Sequence, residues 1–136
     1  MGPNDVDLSR VFVRELREPN SVVGEESIDI QSGLQIVVEA EAGTAIHGQG
    51  TQFLTNIVVR DLTANNTIPA QPTAGFSGQM ATPAWQPFDK QFVFNIAPGV
   101  LAGRQDHLCE VLAFLKAGIV NPDVEFATSY TFILTD

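Results

Sequence analysis

Two histidines, one cysteine and sixteen carboxylates are the side chains of this sequence best placed to do chemistry. His47 lies in GTAIHGQG, residues 43–50, where the glycines follow no phosphate-binding spacing, and it reads as a loop histidine. His107 follows Asp106, half of an acid–base pair by residue type. Adjacent residues on a strand point to opposite faces, however, which would separate the two. Cys109 sits in the apolar run from Leu108 to Leu115 with no basic cluster beside it to favour a thiolate. It reads as a small buried hydrophobe. Cys109 and the two histidines barely make the ligand count of a zinc site. No GxSxG elbow, HExxH helix or Walker loop occurs. The expectation is a chain with no catalytic residues, no metal and no cofactor.

Calcium is the better metal candidate, because Glu25, Glu26, Asp29, Glu39 and Glu41 crowd one stretch. Calcium takes about six to eight oxygen ligands, usually converging from loops. These acids fall along strands instead, and no DxDxDG spacing is present, so they read first as a solvated acidic face. A calcium-assisted binding domain is the first alternative. A small-molecule or enzymatic site with a pocket near His47 and Trp85 is the second.

Composition narrows the partners. Seven basic residues face sixteen acidic ones, a net charge of −9. Nucleic-acid binding needs a basic footprint to displace counterions, so it is not expected. Docking on anionic membranes is disfavoured for the same reason. One cysteine allows no intrachain disulfide. MGPNDVDLSR lacks a basic and then apolar leader pattern, and no run approaches the ~18 apolar residues of a membrane helix, so a cytoplasmic location is expected.

The elements that would position these residues are strands. With 44% hydrophobic residues and only two lysines, the chain can bury a core and favours β structure. Residues 1–7 read as loose. Leu8 to Leu16 reads as an edge strand, with Val11 and Val13 on one face and Arg10, Phe12 and Arg14 on the other. Leu34 to Glu41 alternates most cleanly, with Leu34, Ile36, Val38 and Ala40 inward. A hairpin between this strand and Glu26 to Gln31 would set Glu25 opposite Glu41. Opposed like charges destabilise a ladder, so the two strands are expected in different sheets.

Gln52 to Leu62 and Asp89 to Ile96 are further strands. Asp106 to Ala117 fits both periods, and the strand reading is taken because the rest of the chain is β. Val124 to Leu134 reads as one last strand with Phe126, Tyr130, Phe132 and Leu134 on a common face. The count is about seven strands, the signature of an antiparallel β-sandwich broadly like immunoglobulin or fibronectin architecture. One domain spans residues 1–136.

Residues 67–88 form a long connection with Pro69, Pro72, Pro83 and Pro87, interspersed with Phe76, Met80 and Trp85. Outward-facing Val37, Leu54 and Val58 add apolar surface. Aromatics and methionine are enriched at interface cores. The functional expectation is therefore a non-enzymatic binding or assembly module. It would act through a sheet face and the 67–88 segment, with a protein partner or a second copy of itself as a homo-oligomer.

Overall fold

The computed structural model describes residues 6–18, 24–42, 53–72, 89–117 and 123–136. These form ten strands: β1 (Val6–Glu15), β2 (Ser27–Asp29), β3 (Leu34–Ala42), β4 (Phe53–Asp61), β5 (Asn66–Ile68), β6 (Gln71–Pro72), β7 (Asp89–Ile96), β8 (Leu108–Ala117), β9 (Asp123–Thr128) and β10 (Phe132–Thr135). A short 3-10 turn, Pro98–Leu101, follows β7. One sheet has the order β1-β3-β7-β6. The other has the order β2-β10-β8-β4-β5, with β9 also paired to β8. The architecture is an all-β sandwich.

Strand alternation builds the core. Val11 and Val13 of β1, Leu34, Ile36 and Val38 of β3, and Phe92, Phe94 and Ile96 of β7 are buried on one inner face. Val59, Cys109, Val111, Leu115, Phe132 and Leu134 are buried on the other. Each large side chain so buried stabilises the fold by roughly 1.5–3 kcal/mol relative to exposure. The segment open to both helix and strand is the strand β8, central in its sheet because its inward residues complete this core.

β2 and β3 lie in different sheets, as the opposed glutamates require: β2 runs parallel to β10, and β3 pairs with β1 and β7. β1 is an edge strand, starts at Val6 and carries a bulge between Leu8 and Arg10. The connection from residue 67 is shorter than the sequence implies, because β5 and β6 occupy residues 66–68 and 71–72.

The last segment corrects its expected reading. It is two strands, and both pair with β8. Leu112 pairs with Thr128 and Cys109 with Phe132, so three steps along β8 oppose four along the partner. One extra residue is a β-bulge, which reverses the facing of side chains beyond it. Ser129 occupies the break: its N–H donates to the Val111 carbonyl, and its Oγ accepts from the Val111 N–H. Phe132 and Leu134 therefore point inward, whereas Phe126 and Tyr130 are exposed.

Gly33, in the turn between β2 and β3, has φ +84. A Cβ there would sit 2.8 Å from the Ile96 carbonyl oxygen. Gly33→Ala meets both the left-handed backbone and that backbone atom. It is expected to cost about 2 kcal/mol, read as a lower denaturation midpoint with unchanged slope.

Candidate interaction surface

The outer faces of the two sheets differ in how they treat apolar side chains. On the four-stranded sheet, Phe12, Val37 and Val93 form one row across β1, β3 and β7. A polar row flanks it on each side. Arg10 bonds Glu39 at 2.7 Å, and Gln91 donates to the same carboxylate at 3.0 Å. Arg14 donates to Gln35 at 2.6 Å, and Gln35 donates to Asn95 at 2.9 Å. The Arg10 guanidinium lies 4.1 Å from the Phe12 ring centre. Val37 is 0% exposed. The expectation that Val37 offers contact surface is thus corrected: outward parity does not make it accessible, and it is buried together with Phe12 beside it.

On the six-stranded sheet the outer face is open. Leu54, Asn56, Val58 and Arg60 alternate outward on β4, and Leu112, Phe114 and Lys116 do so on β8. Register then makes a patch of them. Val58 stands opposite Leu112, Phe114 opposite Phe126, and Lys116 opposite both Leu54 and Val124. The Phe114 and Phe126 rings have centroids 6.4 Å apart at 36°. Phe126 is 67% exposed, and Val58, Leu112 and Val124 are exposed as well. The apolar patch spans three adjacent strands. Glu110 and Arg60 lie at one end of it, opposite each other, and Lys116 lies at the other. Two of the expected contact residues, Leu54 and Val58, belong to this patch. Phe76, Met80 and Trp85 lie outside the described residues, as does His47.

A second cluster joins two loops. Asp61, at the end of β4, is fully buried. Its Oδ2 accepts from Arg104 Nη1 at 2.7 Å and lies 2.6 Å from His107 Nδ1, and its Oδ1 accepts from the Ala64 N–H at 2.9 Å. Burial alone would raise its pKa. The Ala64 N–H, His107 and Arg104 outweigh that and hold the carboxyl at about 2. The histidine partner is therefore Asp61 rather than the adjacent Asp106. A buried carboxylate on a histidine Nδ1 is half of a nucleophile-activating arrangement. Among the described residues, however, the His107 ring has no other hydrogen-bond partner. Cys109, paired across from Asp61, is buried and its thiol is pushed up to about 12, first by burial and then by Asp61. The cluster fastens the turn at residues 62–65 to the loop at 102–107.

The acids of the expected calcium stretch disperse. Glu39 binds Arg10, and Asp29 lies 3.5 Å from Arg17. Glu25 instead joins Glu15 and Glu18, with one carboxylate oxygen of each within 4.8 Å of the others. Burial, then the charges of Glu15 and Glu18, raises the Glu25 pKa. Glu15 already accepts from Arg17 at 2.9 Å and from the Asp29 N–H at 3.1 Å.

No protein-family model matches the chain, and no curated protein matches it. Among solved structures it is similar to AggA, the major subunit of aggregative adherence fimbriae type I from Escherichia coli. The identity is 8% and the TM-score 0.49, over 97% of this chain and 95% of that one. A likeness at that level carries no functional argument.

Leu112, Phe114, Val124 and Phe126 were not among the residues expected at an interface. Their signal was present in β8, whose run LCEVLAFLKA is apolar at both parities. A strand apolar on both faces has one face too many for a two-layer core. Asp61 had a weaker signal: it is the one acid on the inward parity of β4.

Proposed function

We propose that this chain is a non-enzymatic assembly module that associates with a second copy of itself through the outer face of the six-stranded sheet. The observation that carries this reading is the apolar patch formed by Leu54, Val58, Leu112, Phe114, Val124 and Phe126 on three adjacent strands. Exposed apolar surface gathered in one place is characteristic of interaction sites, whereas scattered single residues are not. Charge supports a self-partner. The chain is strongly acidic, yet this face carries Arg60 and Lys116 against Glu110. A second acidic copy meets less repulsion here than over the chain as a whole.

Magnitude sets the affinity. Three strands about 4.8 Å apart and about seven residues long make a patch of about 300 Å². Stable interfaces bury about 800 Å² per partner, so the association belongs to the weak class. Light scattering at rising concentration tests it. The mass is expected to climb toward that of a dimer in the high-micromolar range, and a constant monomer mass there rules the reading out.

A cation-assisted reading has one observation in its favour, the convergence of Glu15, Glu18 and Glu25. It needs free ligand oxygens, and those of Glu15 are already engaged. Millimolar calcium is expected to leave the melting temperature unchanged. A rise that disappears in Glu18→Gln would establish the cation site instead.

A further inference from the structure

The outer face of β8 carries charge at both ends and apolar side chains between them. Glu110 and Lys116 flank Leu112 and Phe114, and each lies three positions from Ala113. Neither Glu110 nor Lys116 forms an ion pair with the described residues, while Arg60 on the same face donates to Asn65 at 3.1 Å. Resting on the self-association proposed above, we infer that the two copies pack face to face about a two-fold axis. The axis crosses β8 at Ala113, so Glu110 of each copy meets Lys116 of the other.

The pattern of charge selects this arrangement. A two-fold axis lying in the interface can run along β8 or across it. An axis along the strand stacks β8 on its own copy in parallel, setting Glu110 over Glu110 and Lys116 over Lys116. An axis across the strand at Ala113 reverses one copy, bringing Glu110 over Lys116 and Leu112 over Phe114. Symmetry makes both contacts occur twice. Packed sheets lie about 10 Å apart with strands within about 30° of each other. Glu110 and Lys116 are each about 10 Å along the strand from the axis, so that crossing displaces them laterally by about 5 Å. Glutamate and lysine side chains span such an offset. Orthogonal packing would separate them by about 14 Å and lose the contact.

Charge reversal in the full chain tests the pairing, with dimer dissociation followed by sedimentation velocity. E110K and K116E are each expected to weaken the dimer about tenfold, because each puts like charges together twice. The double variant E110K/K116E is expected to restore wild-type affinity. Net charge alone gives a different pattern: E110K makes the chain less acidic and would strengthen association, while K116E would weaken it. A stronger dimer in E110K, or a double variant that stays weak, overturns the pairing while leaving self-association standing. A wild type that stays monomeric overturns both. Melting curves confirm that each variant is folded.

Discussion

Asp61→Ala is expected to lower the unfolding free energy by about 3 kcal/mol, with a melting temperature lower by roughly 10 °C. The substitution removes one side chain but takes the acceptor from two donors, the His107 ring and the Ala64 N–H, and leaves Arg104 Nη1 with Asn66 Oδ1 alone. Breaking a buried charged pair by deleting one partner costs about 3–5 kcal/mol, because the remaining charge has lost its compensation. The lower end applies here, since Arg104 and His107 are partly exposed and regain some hydration.

The pH dependence carries the same signature. The folded carboxyl titrates at about 2 against an ordinary 3.8. Between those values the unfolded chain binds more protons than the folded one, so stability rises with pH. Asp61 therefore contributes about 2 kcal/mol in full above pH 4, and this is lost as pH falls from about 4 through about 2. Melting temperature against pH is expected to show that acid limb in the wild type and a shallower one in Asp61→Ala. Equal limbs would mean that Asp61 does not hold the loops together.

Leu112→Asp is expected to abolish self-association while leaving the fold intact. Leu112 lies opposite Val58 in the middle of the patch and is 39% exposed, so a carboxylate there remains hydrated in the monomer. In the dimer it would be buried without a partner, in both copies at once. Phe126→Ala removes the most exposed aromatic of the patch. At about 2 kcal/mol for an aromatic anchor, counted in each copy, the loss is roughly a thousandfold in dissociation constant. Val100→Asp is the control. Val100 is also 39% exposed but belongs to the 3-10 turn and not to β4, β8 or β9, and its substitution is expected to leave association unchanged. Sedimentation velocity reads all three. Equal effects from Leu112→Asp and Val100→Asp would remove the special role of the sheet face.

Local alternation made most of the fold readable from residues alone. β3 and β7 declare their inward sides by strict apolar periodicity, and the opposed pair Glu25 and Glu41 was enough to separate β2 from β3. What stayed hidden depends on long-range register. Ser129 inserts one residue against β8, and nothing in the run from Val124 to Leu134 marks it. Phe126 therefore read as sharing a face with Phe132 and Leu134, although it is the most exposed large apolar side chain of the patch. Val37 failed for the opposite reason. Parity showed which way it points, but not that it is buried there, in a row with Phe12 and Val93 from strands distant in sequence. The patch has the same character: Leu54, Val58, Leu112, Phe114 and Phe126 become one surface only once β4, β8 and β9 are in register. Asp61 and His107 are 46 positions apart, and no spacing rule joins them.

Copies of this chain are proposed to meet at the outer face of β4, β8 and β9. Amide chemical shifts recorded while a concentrated sample is diluted test it residue by residue. The expected result is movement confined to Leu54–Arg60, Glu110–Lys116 and Val124–Thr128, with amides of β1, β3 and β7 stationary. Shifts that do not change on dilution, or that move on the four-stranded sheet instead, would contradict it.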